Sequence, residues 1–195
     1  MDKKEVIAFF ADLASDWDAL QVRNEDVIAE ILQKGGITVS TRVLDIACGT
    51  GVLFPDYISL GAEVTGIDIS ANMAEKAREK YPDIKVICGD AAEYSFEEVF
   101  DAVMIYNAFP HFCDPEVLIR TLPSWLNPGG VLAIAHGMSR AAINRCHSGS
   151  ASKVSKPLLS EDELAEIMEK DLQITVKRSD ENMYIVAGCL GEMRS

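Results

Sequence analysis

The sequence is poor in several features that would mark common protein classes. Its five cysteines (Cys48, Cys88, Cys113, Cys146 and Cys189) are odd in number, widely spaced and never paired as CxxC. A disulfide framework or structural zinc site is therefore not expected, and a reducing cytoplasmic setting fits best. Eighteen lysines and arginines stand against 31 aspartates and glutamates, a net charge of −13. That balance lacks the basic footprint of a nucleic-acid binder. No apolar run approaches the roughly 18–20 residues that cross a bilayer, so no membrane partner is expected. The opening MDKKEVIAFFADLASDWD breaks its apolar run at Asp12 and shows no cleavage pattern. It reads as a helix rather than a signal peptide.

Acid is itself missing from one stretch. Between Val117 and Ser160 there is no Asp or Glu, while Arg120, Arg140, Arg145, Lys153 and Lys156 all fall there. Inside it lies HGMSRAAINRCHSG (136–149), which holds two of the chain's three histidines, His136 and His147. The asymmetry points to a ligand.

What is present is the composition of one folded domain over residues 1–195, near half apolar and a quarter charged. Apolar spacing predicts helices near 3–14 and 24–34. RVLDIA then reads as a buried strand running into glycines. EVTGIDI (63–69), IKVICG (84–89), FDAVMIYN (100–107) and VLAIAH (131–136) follow as strands. Helices are predicted over 71–81 and over 115–126, the latter kinked or broken near Pro123, with NPGG (127–130) as a turn. Ser160 and Glu163 form a capping box opening another helix. LQITVKRS and NMYIVAGCL close the chain as an antiparallel pair. Strand–helix alternation of this kind builds a doubly wound, Rossmann-like α/β sheet with helices on both faces. Ligands of such sheets bind beyond the carboxyl ends of the strands.

The functional residues fall there. VLDIACGTG (43–51) runs a strand through Asp45 into Gly49 and Gly51, where the backbone is free to approach a ligand closely. Phe54 occupies the third small position of GxGxxG, which disfavours a pyrophosphate cofactor and a nicotinamide oxidoreductase. Asp68 ends the second strand, where a carboxylate accepts from both hydroxyls of a ribose. Asp90 follows the third strand and suits an exocyclic amine.

Together VLDIACGTG, VTGIDIS, CGDAAEY, FDAVMIYNAFPHF and LNPGGVLAIAH resemble the class I S-adenosylmethionine-dependent methyltransferases of the small-molecule, UbiE-like (type 11) kind. The resemblance runs from about Arg42 to His136. It implies a seven-stranded, mostly parallel sheet with an antiparallel last strand. It implies S-adenosylmethionine as cofactor and methyl transfer by in-line displacement, with S-adenosylhomocysteine as product. It implies that Asp45, Ala47, Gly49 and Gly51 line the methionine part, that Asp68 holds the ribose and Ile69 packs on the adenine, and that Asp90 and Ala91 meet the adenine edge. Tyr106 and Asn107 would sit beside the sulfonium, and Trp17 would cap the site. Asn107-Ala108-Phe109-Pro110 is not the motif of enzymes that methylate planar amines in nucleic acids.

The domain then divides into N-terminal cap helices (1–40), a cofactor-binding core (41–136), a substrate lid loop (137–159) and a C-terminal helix with a β-hairpin (160–195). If Ser139 caps a short helix, Arg140, Asn144 and His147 share one face. With Arg145 and the other histidines, that face is expected to receive a small polar or anionic acceptor. His111 and His136 are the candidate general bases or positioning groups. No ligand-spacing motif supports a metal, and none is expected. Cys113 and Cys146 are the thiols expected at the mouth, too few to favour arsenite. Helical spacing assigns Phe9 and Phe10 to core packing. The leading expectation is a methyltransferase acting as monomer or homodimer. The alternatives are a non-catalytic S-adenosylmethionine-binding module and, more distantly, an RNA-binding role for the basic loop.

Overall fold

The computed structural model describes residues 1–191; the last four residues of the expected C-terminal hairpin segment lie outside them. Three helices open the chain: α1 (Lys3–Leu13), α2 (Trp17–Leu20) and α3 (Glu25–Lys34). Asp2 and Asn24 cap α1 and α3 by accepting from backbone N–H groups. The short α2 has no side-chain cap and gave no periodic signal in the sequence.

Five strands then run parallel: β1 (Arg42–Ile46), β2 (Glu63–Asp68), β3 (Lys85–Cys88), β4 (Phe100–Tyr106) and β5 (Leu126–His136). They alternate with α4 (Phe54–Leu60), α5 (Ala71–Lys80) and α6 (Pro115–Thr121). α7 (Arg140–Cys146) and α8 (Glu161–Met168) lead into β6 (Gln173–Ser179) and β7 (Tyr184–Cys189). The sheet order is β3-β2-β1-β4-β5-β7-β6, with β7 antiparallel to both β5 and β6. Strand order reverses between β1 and β4, the place where doubly wound sheets bind ligands.

The period-2 pattern of the strands sorts their side chains into two cores. Leu44, Ile46, Val103, Ile105, Leu132 and Ile134 pack with α6 and α8 on one face. Val43, Ala102, Met104, Ala133 and Ala135 pack with α3, α4 and α5 on the other. Among the described residues no helix is long and apolar enough to cross a membrane.

Three local features sharpen the sequence reading. NPGG falls within β5 yet keeps its turn: Leu126 and Val131 pair with Phe100 and Ala102, two residues apart, and Gly129 has φ 80°. Gly129 N–H donates to Leu190 O and Leu190 N–H to Gly130 O, while Asn127 Nδ2 donates to Asp101 Oδ1 at 2.7 Å. Long-range partners on both sides thus hold the turn in place, and the ladder absorbs it as a register shift between Phe100 and Ala102. The helix over 115–126 stops at Thr121 and tightens into a 3-10 turn at Leu122–Trp125, as Pro123 requires. Segment 137–159 is not wholly loop, because Ser139 caps α7 by accepting from Ala142 N–H.

The capping box is present: Ser160 Oγ accepts from Glu163 N–H and Glu163 Oε2 accepts from Ser160 N–H at 2.7 Å. Ser160→Ala should lower stability by about 1 kcal/mol, read as a shift of the urea midpoint at constant slope.

Candidate active site

Asp45, Asp68 and Asp90 lie at the carboxyl ends of β1, β2 and β3 and line one cavity of about 190 Å³. The turn after β1 is left-handed at Ala47 (φ 55°), Gly49 (φ 57°) and Gly51 (φ 81°). Asp68 holds that turn in place: Oδ2 accepts from Gly49 N–H and Oδ1 from Ser70 N–H, both at 2.8 Å. Burial pushes the Asp68 carboxyl up to about 6, against the pull of its two backbone donors. Asp45 is buried beside it. Desolvation and then the Asp68 charge push its pKa up, and no hydrogen bond among the described residues offsets them. Asp90 Oδ1 accepts from Ala92 N–H at 2.9 Å, and its other oxygen pairs with Lys3 of α1.

Ala47, Gly49, Ile69, Ala91, Tyr106 and Asn107 also line the cavity. Asn107 (φ 54°) ties the ends of two strands: its N–H donates to Ala135 O and its Oδ1 accepts from Gly137 N–H at 3.0 Å. A non-glycine residue held in this conformation costs about 1 kcal/mol or more and marks an over-determined site. Gly51 does not line the cavity. A Cβ there would lie 2.6 Å from the Phe54 ring, so its role is packing.

The N-terminal helices roof the cavity. Trp17 lies against the glycine turn, its indole Nε1 3.4 Å from where a Cβ on Gly49 would stand. Asp18 accepts from Thr50 of that turn and pairs with Lys80 at 2.6 Å. Phe10 lines the cavity rather than the core, correcting the expectation from helical spacing. Its ring meets Trp17 edge-on at 5.5 Å and His111 at 4.8 Å.

His111 sits in a 3-10 turn after β4, and its Nδ1 lies 2.8 Å from Val154 O. A carbonyl only accepts, so Nδ1 carries the hydrogen and Nε2 keeps its lone pair. Burial holds its pKa down at about 4. His136 is different. It is fully buried at the end of β5, outside the cavity lining, with neither ring nitrogen hydrogen-bonded among the described residues and its pKa held at about 3 by desolvation. A sealed imidazole meets no substrate, so the expectation of a base or substrate contact at His136 does not stand.

The expected polar lid face is not assembled either. Arg140 Nε donates to Leu158 O at 2.9 Å, and Asn144 Oδ1 accepts from Leu158 N–H at 2.8 Å. Together they pin the second half of the lid segment to α7. Arg145 is exposed, and Lys156 donates to Cys113 O. Neither Arg140, Asn144, Arg145 nor His147 lines the cavity, and Lys3, already paired with Asp90 and Glu93, is the cation that does. Cys48 and Cys113 line the cavity, whereas Cys146 is exposed. Among the described residues no cluster of His, Cys, Asp or Glu is arranged to hold a metal. Phe10, Phe112 and Lys3 were missed in the sequence; an apolar position at helical spacing does not say whether it faces a core or a cleft.

The methyltransferase domain family matches residues 43–130, a stretch that carries β1 to β4 and the cavity-lining aspartates Asp45, Asp68, Asp90 and Asp114. This stretch is a methyltransferase domain of the class I, S-adenosylmethionine-dependent kind. A demethylmenaquinone methyltransferase of Renibacterium salmoninarum is 31% identical over 147 residues, covering 69% of this chain and 60% of the relative. The chain thus spans about 60% of the length of the curated relatives it matches. Among solved structures of this methyltransferase fold, the partner of the Trm112 activator in a Haloferax volcanii complex superposes with a TM-score of 0.79 at 17% identity, covering 94% of this chain and 98% of that one. DhpI in complex with SAH does so at 0.76 and 23%, covering 98% and 97%. Both share the fold.

A raised Asp68 pKa has a signed consequence. The native carboxyl, at about 6, binds a proton at pH values where the unfolded one, near about 3.9, has lost it. Its contribution therefore favours folding at about pH 4 and fades as pH rises through about 6. The stability difference between wild type and Asp68→Asn, measured by urea denaturation from pH 4 to 7, should shrink across that window and level off above it. A difference independent of pH would mean that the native carboxyl is already ionised at pH 4.

Proposed function

We propose that the chain binds S-adenosylmethionine at the ends of β1, β2 and β3 and directs methyl transfer to a neutral, largely apolar acceptor in the adjoining chamber. The observation that carries this is the trio Asp45, Asp68 and Asp90 on one cavity whose remaining wall is mostly apolar. The donor set fits the cofactor. Asp45 is a buried carboxyl whose pKa is pushed up by burial and by the Asp68 charge, so a cationic ligand such as the methionine ammonium would draw it into its ionised form. Asp68 and Asp90 offer acceptors to a ribose diol and an exocyclic amine. Ile69 and Ala91 would flank the base, Ala47 and Gly49 would bring backbone close, and Trp17, Tyr106 and Asn107 would enclose the reacting end. Bound there, the cofactor supplies a methyl group activated on a positively charged sulfonium.

The chain's own contribution is alignment, exclusion of water and handling of one proton. Phe10, Trp17 and Phe112 form an aromatic roof and wall. His111, fixed by Val154 O, offers the Nε2 lone pair to an acceptor O–H, N–H or S–H. Its low pKa keeps it unprotonated at neutral pH and suits an acceptor whose proton becomes acidic only as the methyl arrives. The basic residues of the lid segment engage backbone carbonyls or solvent, which favours a neutral acceptor over the anionic one expected from charge. The relatives named for demethylmenaquinone supply one concrete acceptor to try.

Calorimetry with S-adenosylmethionine should show binding that Asp68→Ala weakens at least about tenfold, or 1.4 kcal/mol. In a methyl-transfer assay over phenols, quinols, thiols, amines and carboxylates, the neutral aromatic acceptors should turn over, and Arg145→Ala should leave their KM unchanged. An Asp68→Ala variant that binds as tightly as wild type would refute the cofactor site. Binding without transfer to any acceptor would mark a non-catalytic binding module instead.

A further inference from the structure

The glycine turn after β1 is held from two sides. On the cavity side Asp68 accepts from Gly49 N–H. On the outer side one short run of chain, 17–23, supplies three contacts. Trp17 lies against Gly49, Asp18 accepts from Thr50 Oγ1, and Arg23 Nη1 donates to Val52 O. Val52 lines the cavity and Arg23 does not. Val52 O takes no backbone hydrogen bond among the described residues, so the guanidinium satisfies a carbonyl that the turn itself leaves open.

The rest of the guanidinium is anchored. Nη2 donates to both carboxylate oxygens of Asp56 at 2.9 Å, and Nε and Nη2 donate to Glu25 at 3.0 and 3.1 Å. Asp56 stands in the first turn of α4, where its charge also favours the helix N-terminus, and Glu25 opens α3. A planar fork of five N–H groups serves three acceptors at once, which a single ammonium on a flexible stem does not. Arg23 therefore ties the turn to the starts of two helices. The turn depends on such ties: Ala47, Gly49 and Gly51 are all left-handed, and a residue with a Cβ, such as Ala47, holds that conformation only where its surroundings impose it.

We propose that Arg23 is a positioning residue for the methionine end of the cofactor, acting through Val52 to fix the height at which the backbone of the glycine turn meets the bound molecule. This rests on the cofactor reading above. The effect is local, because the nucleoside end has ties of its own: Asp68 to Ser70 N–H and Asp90 to Ala92 N–H. Loss of Arg23 loosens the methionine end and spares the other.

Two ligands that differ at that end test it on the full chain: S-adenosylhomocysteine, which carries the amino-acid part, and methylthioadenosine, which lacks it. Calorimetry for the first and an NMR titration for the weaker second give both dissociation constants. Arg23→Met should weaken S-adenosylhomocysteine at least about tenfold and methylthioadenosine by less than about twofold. Arg23→Lys, which keeps the charge and reaches fewer acceptors, should recover part of the loss. If Arg23→Met does not fold, the same comparison in Arg23→Lys decides. Equal losses for the two ligands, or unchanged affinity for S-adenosylhomocysteine, overturn the positioning role and leave Arg23 a structural residue. A wild-type chain that binds neither ligand overturns the cofactor reading, and this role with it.

Discussion

The Asp68 carboxylate organises the site. Its two oxygens accept from Gly49 and Ser70, so one side chain at the end of β2 fixes both the turn after β1 and the start of α5. The turn's left-handed backbone at Ala47, Gly49 and Gly51 depends on that anchoring, and so does the approach of Trp17 to Gly49. Burial is the complement of this arrangement. Two carboxyl groups, Asp45 and Asp68, stand beside each other away from water, and burial raises the pKa of both. A cationic ligand would favour their ionised forms. The fold places the pair at the strand ends, where the parallel sheet leaves room for a ligand.

The roof is built by different physics. α1 and α2 contribute Phe10 and Trp17 as edge-to-face contacts, continued through His111 to His147. Polar latches hold this apolar roof at its margins: Lys3 to Asp90 and Glu93, and Asp18 to Thr50 and Lys80. The acidic end of the cavity and its aromatic end are therefore distinct environments, one suited to charge and hydrogen bonding, the other to an apolar partner.

The basic window of the sequence shows how charge counting misleads. Arginines and lysines gathered in an acid-free stretch suggested an anion site. Arg140 and Lys156 instead donate to the backbone carbonyls of Leu158 and Cys113, satisfying an irregular segment that has few ladder bonds of its own. The absence of acid there meets a local need for donors. The aromatic and apolar residues at the cavity escaped the same reading, because Phe10 on α1 has the spacing of any core position.

The sequence alone determined the alternation of strands and helices, the Ser160 capping box and the placing of Asp45, Asp68 and Asp90 after successive strands. These are local or periodic properties, set by side-chain period, turn chemistry and capping groups within a few residues of each other. Only the tertiary structure decided that the NPGG turn docks on Leu190 and Asp101 and that His136 is sealed. It alone decided that Lys3 reaches Asp90 and that His111 stands between Phe10 and His147. Each of these depends on partners tens of residues apart in the chain, brought together by burial of the two cores, and no local pattern in the sequence encodes which of several exposed or apolar faces will meet.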